Sequence, residues 1–498
     1  MSLGAELEAT RKAIEVHARD FGLDFYEVIF EMVDFETMNQ IAAYDGFPVR
    51  YPHWRFGMEY NRLAKAYSYG LQKIYELVIN TDPCYAYLMN CNRDVDQKTI
   101  MAHVYAHCDF FKNNACFAHT NRKMIDVMAN HGTQVRKYIE RYGEETVEDF
   151  LDTALSLENL IDFHSGHIQR YETKEVPRRR YDEEEEEEST PNFRLRSKPH
   201  MDKYINPKEY LDEQERKHKE EKQRRKDKFP SEPWRDTLLF LMQFAPLENW
   251  QVEILSIVRD EALYFAPQRA TKIMNEGWAS FWHSNIMTQK AATAAEIIDF
   301  ADLHSGTMSM SGKSLNPYKV GLEIYRDIED RWNRGRFGKE YEECASYEEK
   351  RNWNRELGLG RDKVFQVRRI YNDVMFLDEF LTMELCVDMK LFTFEYNGDS
   401  ERYEIASRQF MDIKEKLLTS LTNFGEPYIE VVDANYSNRS ELLLTHHHNG
   451  VDLKQDYAQD TLKNLYKIWK RPCNLETVVD ERPVVMSYDG TEHNVKAM

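Results

Sequence analysis

The segment Met101-Ala-His103-Val-Tyr-Ala-His107-Cys-Asp109 sets two imidazoles four residues apart, with a carboxylate two residues further on. On a helix that spacing stacks His103 and His107 on one face, close enough to share a metal ion or a substrate. Zinc peptidases of the His-Glu-x-x-His type use the same pair, but they need a Glu directly after the first His as general base. Here that position is Val104, so a base must come from elsewhere. A second segment, Met274-Asn-Glu276-Gly-Trp278-Ala-Ser-Phe-Trp282-His283, puts Glu276 and His283 seven residues apart, on one helical face. His103, His107 and Glu276 would offer a divalent metal two imidazoles and one carboxylate, with a position open for water. Zinc is favoured over iron or manganese, and histidine with carboxylate also suits iron. Asp109 is the nearer candidate for a base or for a partner fixing a histidine tautomer. His283 or His304 would steady an oxyanion. The competing reading is a pair of satisfied core histidines and a glutamate that merely precedes a seated tryptophan.

Three other features carry polar chemistry. Asp162-Phe-His164-Ser-Gly166 and Asp302-Leu-His304-Ser-Gly306 repeat one pattern, expected as two helix ends with Gly as C-cap and His favoured by the dipole; a cleft shared by the two histidines is the alternative. Glu27, Glu31, Asp34 and Glu36 fall in Phe25-Tyr-Glu-Val-Ile-Phe-Glu-Met-Val-Asp-Phe-Glu. There Glu27 and Glu31 are expected on one helical face, as spare bases or as polar positions of an amphipathic helix. His446-His-His448 closes an expected strand, whose alternation works against a three-ligand site, and Asn449-Gly450 marks a surface turn.

The elements that must position these groups follow from periodicity. The expected fold is a predominantly α-helical two-part core with a small C-terminal α+β domain. A helical first half spans 1–170, with Arg62 to Val78 as one amphipathic run. Within it, Tyr44-Asp-Gly-Phe-Pro-Val-Arg-Tyr-Pro-His-Trp-Arg-Phe-Gly is expected as a loop ordered by ring packing. Residues 171–230 are charge-rich, with Arg178 to Arg180 and six glutamates from Glu183 to Glu188. They form an expected, partly disordered insertion with one charged helix. Helical patterning returns over 231–390, and 391–498 alternates short strands with helices at about 407–423 and 454–469.

A chain of 498 residues, 42% apolar and 13% aromatic, can build large packed cores. The net charge of −20 argues against non-specific nucleic-acid binding and against an anionic membrane surface. Seven scattered cysteines without a Cys-x-x-Cys pair fit a reducing compartment. With no secretion signal or apolar membrane span in the pattern, a cytoplasmic location without membrane insertion is expected.

Several long motifs resemble the stage V sporulation protein R (SpoVR) family. They are Phe21-Gly-Leu-Asp-Phe-Tyr-Glu-Val-Ile-Phe-Glu, the Tyr44 to Tyr60 loop, His103 to Asn114, Asn275-Glu-Gly-Trp-Ala-Ser-Phe-Trp-His, and Ser314-Leu-Asn-Pro-Tyr-Lys-Val-Gly. The resemblance implies a link to spore-cortex peptidoglycan, in a family that also occurs in bacteria making no spores. It further implies genes beside a PrkA-type serine kinase and a third operon partner. It carries no catalytic assignment onto particular residues. Two functions follow as expectations: a metal-dependent amide hydrolase, or a non-catalytic regulator or scaffold of a kinase-linked stress response. In the second, Ser189 and Thr190 beside the acidic run would be sensitive to phosphorylation.

Overall fold

The computed structural model describes residues 3–68, 76–167, 228–310, 315–397 and 402–498, with a few positions between 207 and 217. The expected disorder of the charged insertion, and its Ser189 and Thr190, lie outside these residues. The chain forms two compact units, Met1–Asp149 with Asp260–Glu426, and Phe150–Arg259 with Pro427–Met498.

The first unit is predominantly helical and draws one apolar core from both of its chain segments, from Ile14 to Phe117 and from Ile273 to Ile413. Helix α1 (Ala5–Asp20) packs on α2 (Asp94–Asn113), the central helix. Between Val95 and Phe111 every residue of α2 except Lys98 is buried, the pattern of a helix enclosed on all sides. Against α2 lies α3 (Lys272–Ile286), whose buried run from Ile273 is interrupted at Glu276. Thr271 makes no side-chain cap. Instead Asp373, across the core, accepts from Ile273 N and Met274 N at 2.8 Å each, a carboxylate at the positive end of the helix dipole.

Helix α4 (Ile297–Thr307) buries only Phe300. Helix α5 (Pro317–Arg334) starts with Asn316 capping Lys319 N and Pro317 in the first turn, and ends at Gly335 with φ +71°. Where α3 crosses α5, a Cβ on Gly277 would stand 2.4 Å from the Gly321 backbone, and one on Gly321 would stand 2.2 Å from Ile273 O. Only paired glycines permit that approach.

The structure corrects several element assignments. Val28–Val33 is strand β1, not a helix, so Glu27 and Glu31 share no helical face. Asp34 is the N-cap of the next helix, accepting from Thr37 N at 2.8 Å. Of the helix expected over 62–78, the first part lies in the helix Trp54–Ser68, which starts earlier, and residues 69–75 lie outside the described residues. Glu76–Ile79 is strand β2, antiparallel to β3 (Cys84–Met89), which pairs in parallel with β1. The aromatic loop is ordered as expected: Arg50 lies over the Tyr51 and Phe56 rings and pairs with buried Glu261 at 2.5 Å. Its last four residues, from Trp54, are already helical. Strands β4 (Thr393–Asn397) and β5 (Arg402–Ser407) form a separate antiparallel pair.

Residues 391–426 of the expected 391–498 domain fall in the first unit, and the second unit, from Pro427, carries an α+β region with a five-stranded sheet ordered β10-β9-β8-β7-β6. Its strands are β6 (Tyr428–Tyr436), β7 (Glu441–His447), β8 (Cys473–Val479), β9 (Arg482–Tyr488) and β10 (His493–Ala497). Only β7 and β8 pair in parallel, and the connection they require is α6 (Gln455–Trp469), which packs on β8 and β9. Among the described residues no helix is long and apolar enough to cross a membrane.

Candidate metal centre

On α2, His103 and His107 stand one turn apart with ring centroids 4.5 Å apart and planes at 88°. From α3, a single oxygen meets both: Glu276 Oε2 is 3.6 Å from His103 Nε2 and 3.5 Å from His107 Nε2. The ligand atoms of the three residues lie within 4.8 Å of one another, and no other such group occurs among the described residues. The two N···O separations are close to the edge, roughly 3.3 Å, of a tetrahedron with zinc-type bonds of about 2.0 Å.

The far edges of the imidazoles are held separately. His107 Nδ1 is 2.9 Å from Asn275 Oδ1, and His103 Nδ1 is 2.9 Å from His283 Nδ1. An amide oxygen only accepts, so His107 carries its proton on Nδ1 and turns Nε2 toward Glu276. Phe111 stacks on His107 and Tyr318 on His103, with centroids 5.9 and 6.0 Å apart.

Electrostatics separates the groups. Burial alone would raise Glu276, but contacts with His103 and His107 hold its carboxyl well below the usual range. Burial and then His107 push His103 down to about 4. His107 goes the other way, since Glu276 and Asn275 outweigh the burial that opposes its charge. Burial also pushes Glu76, the first residue of β2, up to about 7, with Glu276 adding to the shift and His107 opposing it. Tyr318, in the first turn of α5, is held protonated by burial and then by Glu276 and Glu76.

Glu76 and Tyr318 are the neighbours that spacing did not reveal. Tyr318 lies in the Asn-Pro-Tyr run, whose Asn cap and first-turn Pro fix where the ring sits. Glu76 has no comparable signal. Asp109 is corrected, because both of its oxygens are committed away from the imidazoles. They accept from Asp24 N at 2.8 Å and Trp278 Nε1 at 2.9 Å, with Arg368 Nε at 3.4 Å. His283 is also engaged, since its Nδ1 meets His103 Nδ1 at 2.9 Å and its Nε2 meets His304 Nδ1 at 3.0 Å; the oxyanion role does not fit a ring whose two nitrogens are both taken, and His304 is turned to His283 by its Nδ1.

The repeated Asp-x-His-Ser-Gly pattern closes one helix, not two, with His304 in the last turn of α4. Gly306 lies inside α4, whose C-cap is Met308. Asp162 instead accepts from His164 N at 3.1 Å in a turn. His446 is buried on Thr477, whereas His447 meets Glu430 and His448 meets Asp452, so the three rings have separate partners.

These features define a helical protein with a two-histidine, one-carboxylate group in its core. The chain belongs to the SpoVR family: the profile described as SpoVR like protein matches residues 3–426, and that of the SpoVR-like C-terminal domain matches residues 427–480. It is 30% identical over 490 residues to the Uncharacterized protein YcgB of Escherichia coli (strain K12), spanning 92% of this chain and 89% of the relative. No solved structure matches the chain.

Proposed function

We propose that the chain is a metal-dependent hydrolase of an amide, with zinc held by His103, His107 and Glu276. The observation that carries this reading is that one carboxylate oxygen faces both Nε2 atoms, at 3.5 and 3.6 Å, while each Nδ1 has another partner. Such an arrangement leaves two imidazole edges aimed at an anion, the environment a cation fills best. A bound zinc ion would lower the pKa of a water toward neutrality.

The chain's own groups would do the rest. Glu76, outside the ligand group yet coupled to it, takes the place of the glutamate missing at position 104. Its carboxylate accepts the proton of the attacking water and returns it to the departing amine. Tyr318 keeps its hydroxyl proton and can donate to the oxygen on which charge develops. Glu276 retains 20% side-chain exposure, which gives water and substrate a way in. The resemblance to a cortex-associated family favours a peptide amide of a cell-wall precursor as substrate.

The test uses full-length protein with stoichiometric zinc and short peptidoglycan stem peptides as probes. Glu76→Gln is expected to keep zinc and to lower amide cleavage by about 10²–10⁴-fold. Undiminished cleavage by Glu76→Gln would remove Glu76 from the mechanism, and no cleavage of any stem peptide by zinc-loaded wild type would remove this substrate class.

A further inference from the structure

His103 turns Nε2 to Glu276 and Nδ1 to a second histidine. His103 Nδ1 faces His283 Nδ1 at 2.9 Å, and His283 Nε2 faces His304 Nδ1 at 3.0 Å. His103 and His283 are buried, and His304 is only partly so. Each nitrogen pair can share only one proton, so the three tautomers are linked. If His103 is to present a lone pair at Nε2, its proton sits on Nδ1 and His283 must accept there. His283 then carries its own proton on Nε2, and His304 must accept at Nδ1. The opposite order would place a proton on His103 Nε2, facing Glu276.

The far end of this chain stands on a lightly held element. Helix α4 contributes one buried side chain, Phe300, which forms a small cluster with Val95 and Met287 apart from the main core. Phe300 stacks on His304 and meets His283 edge-on, with centroids 5.6 and 6.2 Å apart. Two ion pairs, Lys98 with Glu296 and Arg93 with Asp299, tie α4 and the residue before it to α2 and its N-cap.

We infer that His283 is the positioning residue that fixes the tautomer of His103, and that through His304 it makes metal affinity depend on the seating of α4. The inference rests on the reading of His103 as a ligand. It assigns His283 and His304 no contact with substrate.

The experiment combines zinc affinity, by competition with a chromophoric chelator, with ring-nitrogen NMR of ¹⁵N-histidine-labelled full-length protein. His283→Phe keeps the ring volume and removes the acceptor, and should weaken zinc roughly 10–100-fold at unchanged near-UV circular dichroism. His283→Gln, which can still accept, should recover most of the loss, and His304→Phe should lose less than His283→Phe. In wild type, with or without zinc, His103 should give the signature of a proton on Nδ1. A His103 proton on Nε2, or a folded His283→Phe with wild-type zinc affinity, would overturn the inference. If wild type binds no zinc, the metal reading fails, while the NMR signature still decides the tautomer.

Discussion

A pair of imidazoles on one helix becomes a ligand set only when something meets it from across the core. Glu276 does so with one oxygen. This much was legible in the sequence, because i, i+4 spacing and an Asn-Glu-Gly-Trp run on a second helix are local signals. Glu76 was not, since one carboxylate at the start of a four-residue strand looks like the end of the preceding helix. Asp109 misled because it lies close in sequence, yet two residues of helix turn it to the far side of α2, toward Trp278 and Arg368. At this scale, Glu276→Gln should weaken zinc by more than the roughly 10–100-fold that a supporting residue is worth, as measured by equilibrium dialysis against zinc. Asn275→Ala, which removes the Nδ1 partner of His107, should fall within that range.

Between elements, the decisive contact is the crossing of α3 and α5 at Gly277 and Gly321. It brings the residue before Gly277 and Tyr318, in the first turn of α5, to the same imidazole, His103. Gly321→Ala pushes a methyl into the Ile273 carbonyl, so it should cost about 3 kcal/mol or more and lower the thermal midpoint, in line with severe overpacking. Asp373→Ala strands two buried N–H groups at the start of α3 and should cost about 2–4 kcal/mol by chemical denaturation. The helices were legible from periodicity. Strands β1 to β3 were not: β3 is buried at every position but Tyr85, β1 loses its alternation at Glu31 and Met32, and β2 is four residues long, so none carries a period that separates strand from helix. The cap on α3 was invisible for another reason: Asp373 is about 100 residues away in the chain, and no local pattern announces it.

Over the whole molecule, the site belongs entirely to the first unit, built from chain segments on either side of the second unit's first segment. The second unit holds its own titrating group. His446 is driven down from 6.5 to about 4 by burial, then by His448 and His447. Between those values the unfolded chain binds a proton that the folded sheet refuses, so stability rises with pH there. The sheet should therefore keep this contribution above about pH 6.5 and lose it as pH falls toward 4. Hydrogen exchange of the β7 and β8 peptides should speed up over that window, and His446→Gln, which keeps a partner for Thr477, should flatten the dependence. The measurement that bears most directly on the central claim is the metal content of full-length protein purified without an affinity tag. The account predicts one zinc ion per chain, lost in a folded His103→Ala, His107→Ala double variant. Wild-type protein with no stoichiometric metal, or a double variant that retains it, would contradict the account.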